Sequence, residues 1–272
     1  MNNLRRLDIN LLLTLDVLLA EHNVTRAAER LSLSQPSVSV HLAKLREPLR
    51  EALEALERAV APASAFDPAQ ARHIWKVAAT DYGESTVVLP ALSGLRTQAP
   101  GTRLAVLDLM PAQLARQAEQ GVFDLALHIT EEAPLDLHQR VLFTEHYVLA
   151  GRVGHPGLKR KPTREQFCAL EHVMVSREGG GFFGVTDKAL AEVGLARKVV
   201  LSVPHFLMVM SVLASTDLVA MLPSRLVRDN PALQVVDAPL PVPGYEMAMF
   251  WGERAHRDPA HKWLREHLAA SV

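Results

Sequence analysis

The chain is 272 residues long and 49% hydrophobic, which is enough for two or three domains with well-filled cores. Its formal net charge is −1, so the molecule as a whole is not a polycation, and any contact with nucleic acid must come from a local patch. The single cysteine, Cys168, excludes an intramolecular disulfide and gives no indication of an oxidising compartment.

The apolar run near the N-terminus is predicted not to be a signal peptide. Asp8, Asn10 and Asp16 interrupt it, and no small-residue cleavage site follows. No stretch without charge reaches the length of a membrane span. We therefore expect a soluble cytoplasmic protein that has no membrane partner.

Residues 4–46 have the periodicity of three short helices. One face of the first helix collects the leucines at positions 7, 11, 15, 18 and 19. Thr25 is expected to cap the second helix, and Ser34 the third, in which Pro36 occupies an early position that needs no N–H. The expected buried side of the third helix consists of Val38, Leu42 and Leu45. This arrangement is typical of a helix-turn-helix.

Residues 47–61 are predicted to form a separate amphipathic helix that dimerises. Its apolar seam consists of Leu49, Leu53, Leu56 and Val60, with Glu and Arg residues on the flanks. The segment PASAFDP ends this helix, and we place a hinge at residues 62–70.

From residue 71 onward, short apolar runs alternate with helical stretches, as in IWKVAAT, TVVLPALSGLRTQAP, RLAVLDL, PAQLARQAEQ and FDLALHI. This β-α-β-α-β order predicts a parallel sheet covered by helices. The pattern recurs after about Tyr147, and the run MAMFW precedes a last helix. We expect two α/β lobes in residues 71–272, lobe I at about 71–146 and 247–272 and lobe II at about 147–246. A cleft should lie at the carboxyl ends of their strands.

The third helix is the candidate for reading DNA. Glutamine and serine are short enough to lie against base edges, and basic side chains can hold phosphates. However, residues 1–46 contain six Lys or Arg against four Asp or Glu, which is a slight surplus. The pattern alone therefore leaves both DNA binding and an ordinary helical core open.

The segment LDINLLLTLDVLLAEHNVTRAAERLSLSQPSVSVHLAKLR resembles the winged helix-turn-helix of LysR-type transcriptional regulators. The matching positions are Ala27, Ala28, Leu31, Ser34, Gln35, Pro36, Val38, Ser39, Leu42 and Leu45. The resemblance continues through nearly the whole chain. Its motifs TDYGE, FDLALHI, SVPHF and STDLVAMLPSRL are similar to the branch that includes nodulation regulators and sensors of salicylate and nitroaromatics.

This resemblance implies an N-terminal all-α winged helix-turn-helix domain (residues 1–46), the linker helix, and a C-terminal α/β effector domain. The effector domain is expected to be two-lobed and periplasmic-binding-protein-like. The implied partners are double-stranded promoter DNA, a small-molecule effector and further copies of the chain in a homodimer or homotetramer. No cofactor is implied. The residues expected to contact DNA are Arg26, Arg30, Ser34, Gln35, Pro36, Ser37, Ser39, His41, Lys44 and Arg46.

The chain departs from the family where the β-hairpin wing should lie. LAKLR is followed at once by EPLREAL, which leaves no room for two strands and a turn. Either the wing is truly absent, or the sequence omits a segment between Arg46 and Glu47. We favour the omission, because a continuous helix would contain Pro48 at a cost of about 3 kcal/mol. A chain break at Arg46–Glu47 would confirm it, and normal bonding there would contradict it. A true loss of the wing predicts weak DNA binding.

Candidate effector contacts follow the predicted strands. Thr80 ends the first strand, where a hydroxyl and exposed amides suit a carboxylate, although a plain helix cap is equally consistent. Asp81 fits a cap better than a ligand group, and Ser85 is a weaker candidate. His128 and Thr130 follow the third strand. His128 alone is typical of a polar strand end, whereas family likeness favours Thr130.

In lobe II, Ser176 begins the segment SREGGGFFG, whose glycines allow close approach of backbone to a ligand; a mobile loop is the alternative. His205 and Phe206 open a helix and, by resemblance to the aromatic-sensing branch, could grip an aromatic acid. Phe206 fits a core position as well.

An enzyme is the rival class. The sequence has no GxSxG, P-loop, HExxH or paired cysteines, and its twelve histidines lack metal-ligand spacing, so no catalytic or metal site is predicted. Cys168 lies on an apolar stripe and fits the core. A periplasmic solute-binding protein is a third possibility, which the N-terminal helices and the absent signal peptide oppose.

Overall fold

The computed structural model describes residues 9–60, 66–176 and 179–272, except for the side chains of residues 9, 47, 51, 52 and 54–60. The chain divides into two compact units, Met1–Ser64 and Ala65–Val272. The division falls within the segment where the sequence predicts a hinge, of which residues 62–65 lie outside the described part.

The first unit contains three helices, α1 (Ile9–Glu21), α2 (Val24–Leu31) and α3 (Gln35–Val60). Its core consists of Thr14, Ala27, Ala28, Val38 and Leu45, each at most 4% exposed.

Some details of the first unit differ from the prediction. Asn23 rather than Thr25 caps α2, because its side-chain oxygen accepts hydrogen bonds from the amides of Thr25 and Arg26. Leu42 of α3 is 42% exposed, although the sequence predicts it to be buried, and Leu19 of α1 is 62% exposed. Leu7 lies outside the described residues.

The helix α3 runs without interruption through Arg46, Glu47 and Pro48. No chain break lies at this junction, so the structure gives no support to an omitted segment. The predicted recognition helix and linker helix are one helix of 26 residues. Since Pro48 has no N–H, the carbonyl of Lys44 loses the donor that a regular helix supplies.

The second unit contains a five-stranded sheet. Its strands are β1 (Ile74–Ala79), β2 (Arg103–Asp108), β3 (Leu125–Ile129), β4 (His138–Glu145) and β10 (Tyr245–Trp251). They lie side by side in the order β2-β1-β3-β10-β4. Strand β1 pairs in parallel with β2 and β3, whereas β10 is antiparallel to β3 and β4. The carboxyl ends of β1, β2 and β3 therefore share one edge.

Helices cover this sheet. They are α4 (Asp81–Gly83), a π-helical turn (Glu84–Val88), α5 (Leu89–Gln98), α6 (Leu114–Glu119), α11 (Glu253–His256) and α12 (Pro259–Ala270). Fully buried side chains such as Val77, Leu127, Met249 and Leu264 pack between the sheet and one helical layer. A second cluster around Leu114 and Phe250 also belongs to this part.

The remaining strands form two small sheets. Antiparallel β8 (Ala220–Pro223), β5 (Tyr147–Arg152) and β9 (Leu233–Val236) form one, and parallel β6 (Glu171–Val175) and β7 (Lys198–Val203) form the other. A bridge between His172 and Val219 connects the two sheets. The helices here are α7 (Arg164–Ala169), α8 (Val185–Ala191), α9 (Phe206–Ser215) and α10 (Ser224–Val227).

The two α/β parts are linked by two chain crossings. Strand β4 of the five-stranded sheet leads directly into β5, and β9 leads back into β10. The predicted class, an N-terminal helical domain followed by a two-lobed α/β effector domain, is confirmed.

Candidate functional site

The N-terminus of α3 presents a polar surface. The Ser34 hydroxyl accepts a hydrogen bond from the Ser37 amide (3.3 Å) and lies 2.8 Å from the Ser37 hydroxyl, so Ser34 caps the helix as predicted. Gln35, Pro36 and Ser39 are exposed, and Ser37 is half-buried. Exposed glutamine and serine side chains in the first turns of a helix are suited to base edges.

His41 does not belong to this surface, contrary to the prediction. Its Nδ1 lies 2.8 Å from the hydroxyl of Thr14, which is a buried residue of α1. The third helix buries Val38 and Leu45, and half-buried His41 lies on the same side, whereas Leu42 is exposed. The prediction was that His41 would be exposed and Leu42 buried. In the structure His41 is half-buried and Leu42 is exposed.

The four basic residues predicted to contact DNA fall into two groups. Arg26 and Arg30 are both engaged with Glu21: Arg30 Nη1 lies 2.7 Å from its carboxylate, and Arg26 Nη2 donates to its carbonyl oxygen at 2.6 Å. They remain about 60% exposed, but a phosphate must compete with Glu21 for them. Lys44 and Arg46 are exposed on α3.

The C-terminal half of α3 contains the leucines that the sequence predicts as a dimer seam. Leu53 is 59% exposed and Leu49 is half-buried. The side chains of Leu56 and Val60 lie outside the described residues. Leu42, which precedes the linker segment, lies on the same face of α3 as Leu49 and Leu53.

In the effector domain, Thr80 and Asp81 follow β1 at the edge where the parallel strands end. The Thr80 hydroxyl accepts a long hydrogen bond from the Gly83 amide (3.5 Å) and caps α4, so Thr80 is a cap with a half-buried side chain. Asp81 caps a different helix. Its Oδ2 accepts a hydrogen bond of 2.7 Å from the amide of Leu207 in α9, which joins the two lobes.

The other lobe I candidates differ in exposure. Thr130 starts a short 3₁₀ turn after β3 and is half-buried; because β3 runs parallel to β1, it follows the same sheet edge as Thr80. Ser85 is half-buried in the π-helical turn. His128 is 2% exposed, and its Nε2 lies 3.4 Å from the Glu132 carboxylate. It is packed within the sheet rather than on an open wall, which corrects its assignment as an effector contact.

The lobe II candidates lie at the carboxyl ends of β6 and β7. The Ser176 amide donates to the carbonyl of Val203 (2.9 Å), and the Ser176 hydroxyl accepts from the Gly181 amide (3.2 Å). His205 is exposed. Phe206 is half-buried, packs against the cores of both lobes and has its ring 5.7 Å from that of Tyr82.

Two exposed phenylalanines near this edge were not among the predicted contacts. Gly179 and Gly180 both have φ near +75°, a left-handed conformation that favours glycine, and they lead into Phe182 and Phe183. These rings are 56% and 64% exposed. The sequence feature that could have identified them is a pair of adjacent aromatic residues directly after a run of glycines.

The sequence reasoning also missed a buried carboxylate at the lobe junction. Glu145 ends β4 and is 1% exposed. Its two oxygens accept hydrogen bonds from the Tyr82 hydroxyl (2.6 Å), the Ser224 hydroxyl (2.7 Å) and the amides of His146, Ser224 and Arg225. Tyr82 belongs to lobe I and α10 to lobe II, so Glu145 ties the lobes together at the crossing.

Burial alone would raise the pKa of the Glu145 carboxyl. The hydrogen bonds from Tyr82, Ser224 and the neighbouring amides outweigh burial, so its pKa lies below the ordinary value. Burial, together with the bond to Glu145, raises the pKa of Tyr82. Tyr82 therefore acts as a donor to an ionised carboxylate.

The described residues contain no group of three or more His, Cys, Asp or Glu side chains placed to hold a metal ion. Within the same described ranges, no helix is long and apolar enough to cross a membrane.

Two family profiles match the chain. Residues 9–60 match the bacterial regulatory helix-turn-helix protein of the lysR family, and residues 68–272 match the LysR substrate binding domain. The first match spans the Arg46–Glu47 junction.

The chain is similar along its whole length to characterised regulators. It is 33% identical to the HTH-type transcriptional activator NagR of Ralstonia sp. over 292 residues, covering 97% of each chain. It is also 33% identical to the HTH-type transcriptional regulator SyrM of Rhizobium meliloti (strain 1021), covering 100% of this chain and 91% of that one. The predicted branch of the family is confirmed.

The alignment with NagR also contains positions that this chain lacks. It covers 97% of 272 residues, which is about 264, so about 28 of the 292 aligned positions have no counterpart in this chain.

A solved structure agrees with these matches. The probable transcriptional regulator PA0477 from Pseudomonas aeruginosa superimposes with a TM-score of 0.66 at 30% identity, covering 97% of both chains. LysR regulators bind promoter DNA and small-molecule effectors and form oligomers. The chain belongs to the LysR family of transcriptional regulators.

Proposed function

We propose that this LysR-type regulator senses a small aromatic carboxylic acid in the cleft between its two α/β lobes and changes its promoter binding in response. The observation that carries this proposal is the meeting of the two lobe edges. Thr80 and Thr130 lie at one edge, Ser176 and His205 at the other, and the Asp81–Leu207 hydrogen bond spans them.

The chemistry of these edges supports an aromatic acid. Hydroxyl groups and the first amides of α9 suit a carboxylate, and at present Asp81 supplies a carboxylate to the Leu207 amide. The rings of Tyr82 and Phe206, together with exposed Phe182, offer flat apolar surfaces for an aromatic ring. An effector carboxylate could replace Asp81 at the helix terminus, which would change how the lobes are held.

For DNA, we propose that Gln35, Pro36, Ser37 and Ser39 face the base edges. Lys44 and Arg46 would hold phosphates, with Arg26 and Arg30 joining them on release from Glu21. Ser34 positions the helix as its cap. The wing is absent, so minor-groove contacts are lost and the affinity should be weaker than that of a regulator with a complete wing.

We retain the division into a DNA-reading part (1–46), a dimerising segment (47–61), a hinge (62–70) and an effector domain (71–272). Effector binding would favour one arrangement of lobes and protomers and thereby alter promoter occupancy. We further propose that the protein acts in the cytoplasm, where promoter DNA is found, and that it is not an enzyme; its relatives are transcriptional regulators.

A thermal-shift screen of small carboxylates tests the effector proposal, because a ligand that binds only the folded state raises Tm. We expect aromatic acids to raise Tm more than aliphatic acids of similar size. Thr80→Val should reduce this shift while leaving DNA binding unchanged, since it removes one hydroxyl from the cleft edge.

Thr97→Val is the matched control. Thr97 lies on α5, and its hydroxyl bonds back to the Ser93 carbonyl within the same helix. It should keep the wild-type response. If Thr80→Val responded as fully as Thr97→Val, Thr80 would not contact the effector.

A further inference from the structure

The start of α9 is capped from the other lobe. His205 stands at the N-cap position of α9, but its side chain makes no capping hydrogen bond to this ten-residue helix. Instead, the Leu207 amide donates to Oδ2 of Asp81, which lies 126 positions earlier in the chain and belongs to lobe I. This hydrogen bond is short, at 2.7 Å, and the partial positive charge of a helix N-terminus strengthens a bond to a carboxylate. A carboxylate of the chain itself therefore occupies the position that the proposed function assigns to the effector carboxylate.

Two aromatic rings lie next to this hydrogen bond. Tyr82 follows Asp81 in the chain, Phe206 precedes Leu207, and the centroids of the two rings are 5.7 Å apart. An aromatic acid that placed its carboxylate on the Leu207 amide would have its own ring beside these two faces. An acid without a ring could reach the same amide but would gain no contact with the aromatic faces.

The Asp81–Leu207 hydrogen bond is also a connection between the lobes. At the chain crossing, Glu145 of lobe I accepts hydrogen bonds from Ser224 and Arg225 of lobe II. The Asp81–Leu207 bond joins the lobes at a second place, between the first turn of α4 and the first turn of α9. Releasing Asp81 would open this second connection and leave the bonds at the crossing in place.

We propose that Asp81 is an internal competitor for the effector carboxylate, so that an acidic effector binds by displacing Asp81 from the Leu207 amide. The inference rests on the proposed function, because it concerns the same cleft. The amide has one hydrogen to donate, and two carboxylates held side by side repel each other. Asp81 and an acid therefore exclude each other at this position.

The consequence is that Asp81 sets the preference of the cleft between acids and neutral aromatic compounds. The apparent affinity for an acid is reduced by the fraction of molecules in which the amide is free, so an Asp81 that is bound nine-tenths of the time weakens acid binding about tenfold. A neutral aromatic compound carries no charge for Asp81 to repel. Removing the charge of Asp81 should therefore favour acids selectively.

The Asp81→Asn variant tests this proposal with a minimal change. The asparagine side-chain oxygen can still accept from the Leu207 amide, so the connection between the lobes is kept while the charge is removed. We would titrate benzoate and benzamide, which share a ring and differ in charge, into the full chain by isothermal titration calorimetry. We expect the Kd of benzoate to fall about tenfold in the variant and that of benzamide to change less than about twofold.

Asp258→Asn is the matched control. Asp258 also caps a helix, because its Oδ1 accepts hydrogen bonds from the Ala260 amide (2.8 Å) and the His261 amide (3.3 Å) at the start of α12. The substitution removes the same charge, and asparagine is an equally good N-cap. This variant should bind both compounds as wild type does.

A second variant tests the release of the lobe connection. Asp81→Ala removes both the charge and the acceptor, so without any ligand its affinity for a duplex selected from a random pool should shift in the direction in which saturating benzoate shifts wild type. Adding benzoate to this variant should then change its DNA affinity less than it changes that of wild type.

The outcomes separate this inference from the proposed function. If wild type binds benzoate but Asp81→Asn shows an unchanged or weaker preference for benzoate over benzamide, the inference is wrong and the proposed function stands. The same holds if Asp258→Asn gains the preference equally, or if Asp81→Ala matches ligand-free wild type in DNA affinity and responds fully to benzoate. Binding of benzoate by neither wild type nor Asp81→Asn would overturn both the inference and the proposed aromatic-acid effector.

Discussion

His172 couples the stability of lobe II to pH. It is completely buried between the two small sheets, its Nε2 donates to the Phe167 carbonyl (2.8 Å), and among the described residues its Nδ1 has no hydrogen-bond partner. Burial lowers the pKa of His172 to about 4, from about 6.5 in an unfolded chain. Between these values the unfolded chain takes up a proton that the folded state excludes, so stability should fall as the pH drops from 6.5 towards 4.

His172→Gln should reduce this acid sensitivity. A glutamine amide can still donate to the Phe167 carbonyl but does not titrate. We expect the Tm of the variant to fall less than that of wild type between pH 7 and pH 4.5 in thermal denaturation. The control is His22→Asn, since His22 is exposed with φ of 48°, a conformation that asparagine tolerates. If the Tm of His172→Gln depended on pH as strongly as that of wild type, another group would be responsible for the acid sensitivity.

At single positions, the sequence predicted the chemical role of a side chain better than the direction in which that side chain points. It identified Ser34 as a cap and Gln35 and Ser39 as outward residues, because their local chemistry decides their place. It misplaced His41, whose partner Thr14 lies 27 positions away, and His128, which is buried near Glu132. Such pairings depend on how elements pack, and periodicity within one helix or strand does not contain that information.

At the scale of elements, Glu145 holds the crossing between β4 and β5. The Glu145 carboxylate accepts five hydrogen bonds through its two oxygens. In Glu145→Gln one of these oxygens becomes an NH₂ group, which cannot accept a hydrogen bond and faces the two or three donors that the oxygen had bound. We expect the effector domain to lose about 2 to 4 kcal/mol in urea denaturation, the range for leaving buried donors without a charged acceptor. Glu246→Gln, an exposed change on β10, should stay within about 0.5 kcal/mol of wild type. Similar values for both variants would contradict this role.

The strands and helices were largely predictable, because buried parallel strands are continuous apolar runs and the helices between them are amphipathic. The short antiparallel strands β5 and β9 and the role of Glu145 were not, since their partners come from distant parts of the chain. A continuous helix through residues 46–48 is the less favoured alternative from the sequence because of Pro48, yet α3 passes through this proline. The leucine seam on both sides of the proline was the signal that favoured continuity.

At the scale of the whole molecule, the net charge of −1 means that DNA must be bound by a local patch, which we place in the first unit. There Arg26 and Arg30 are shared with Glu21, and the wing is absent. We therefore expect few phosphate contacts and a shallow salt dependence, with sequence preference supplied by the start of α3.

Fluorescence anisotropy tests this central claim most directly. The purified full chain is titrated, at two salt concentrations, into a duplex that it has selected from a random pool and into a scrambled duplex of the same composition. The account predicts tighter binding to the selected duplex at both concentrations, with affinity for both duplexes falling as salt rises. Equal affinity for the two duplexes, or no binding to either, would contradict it.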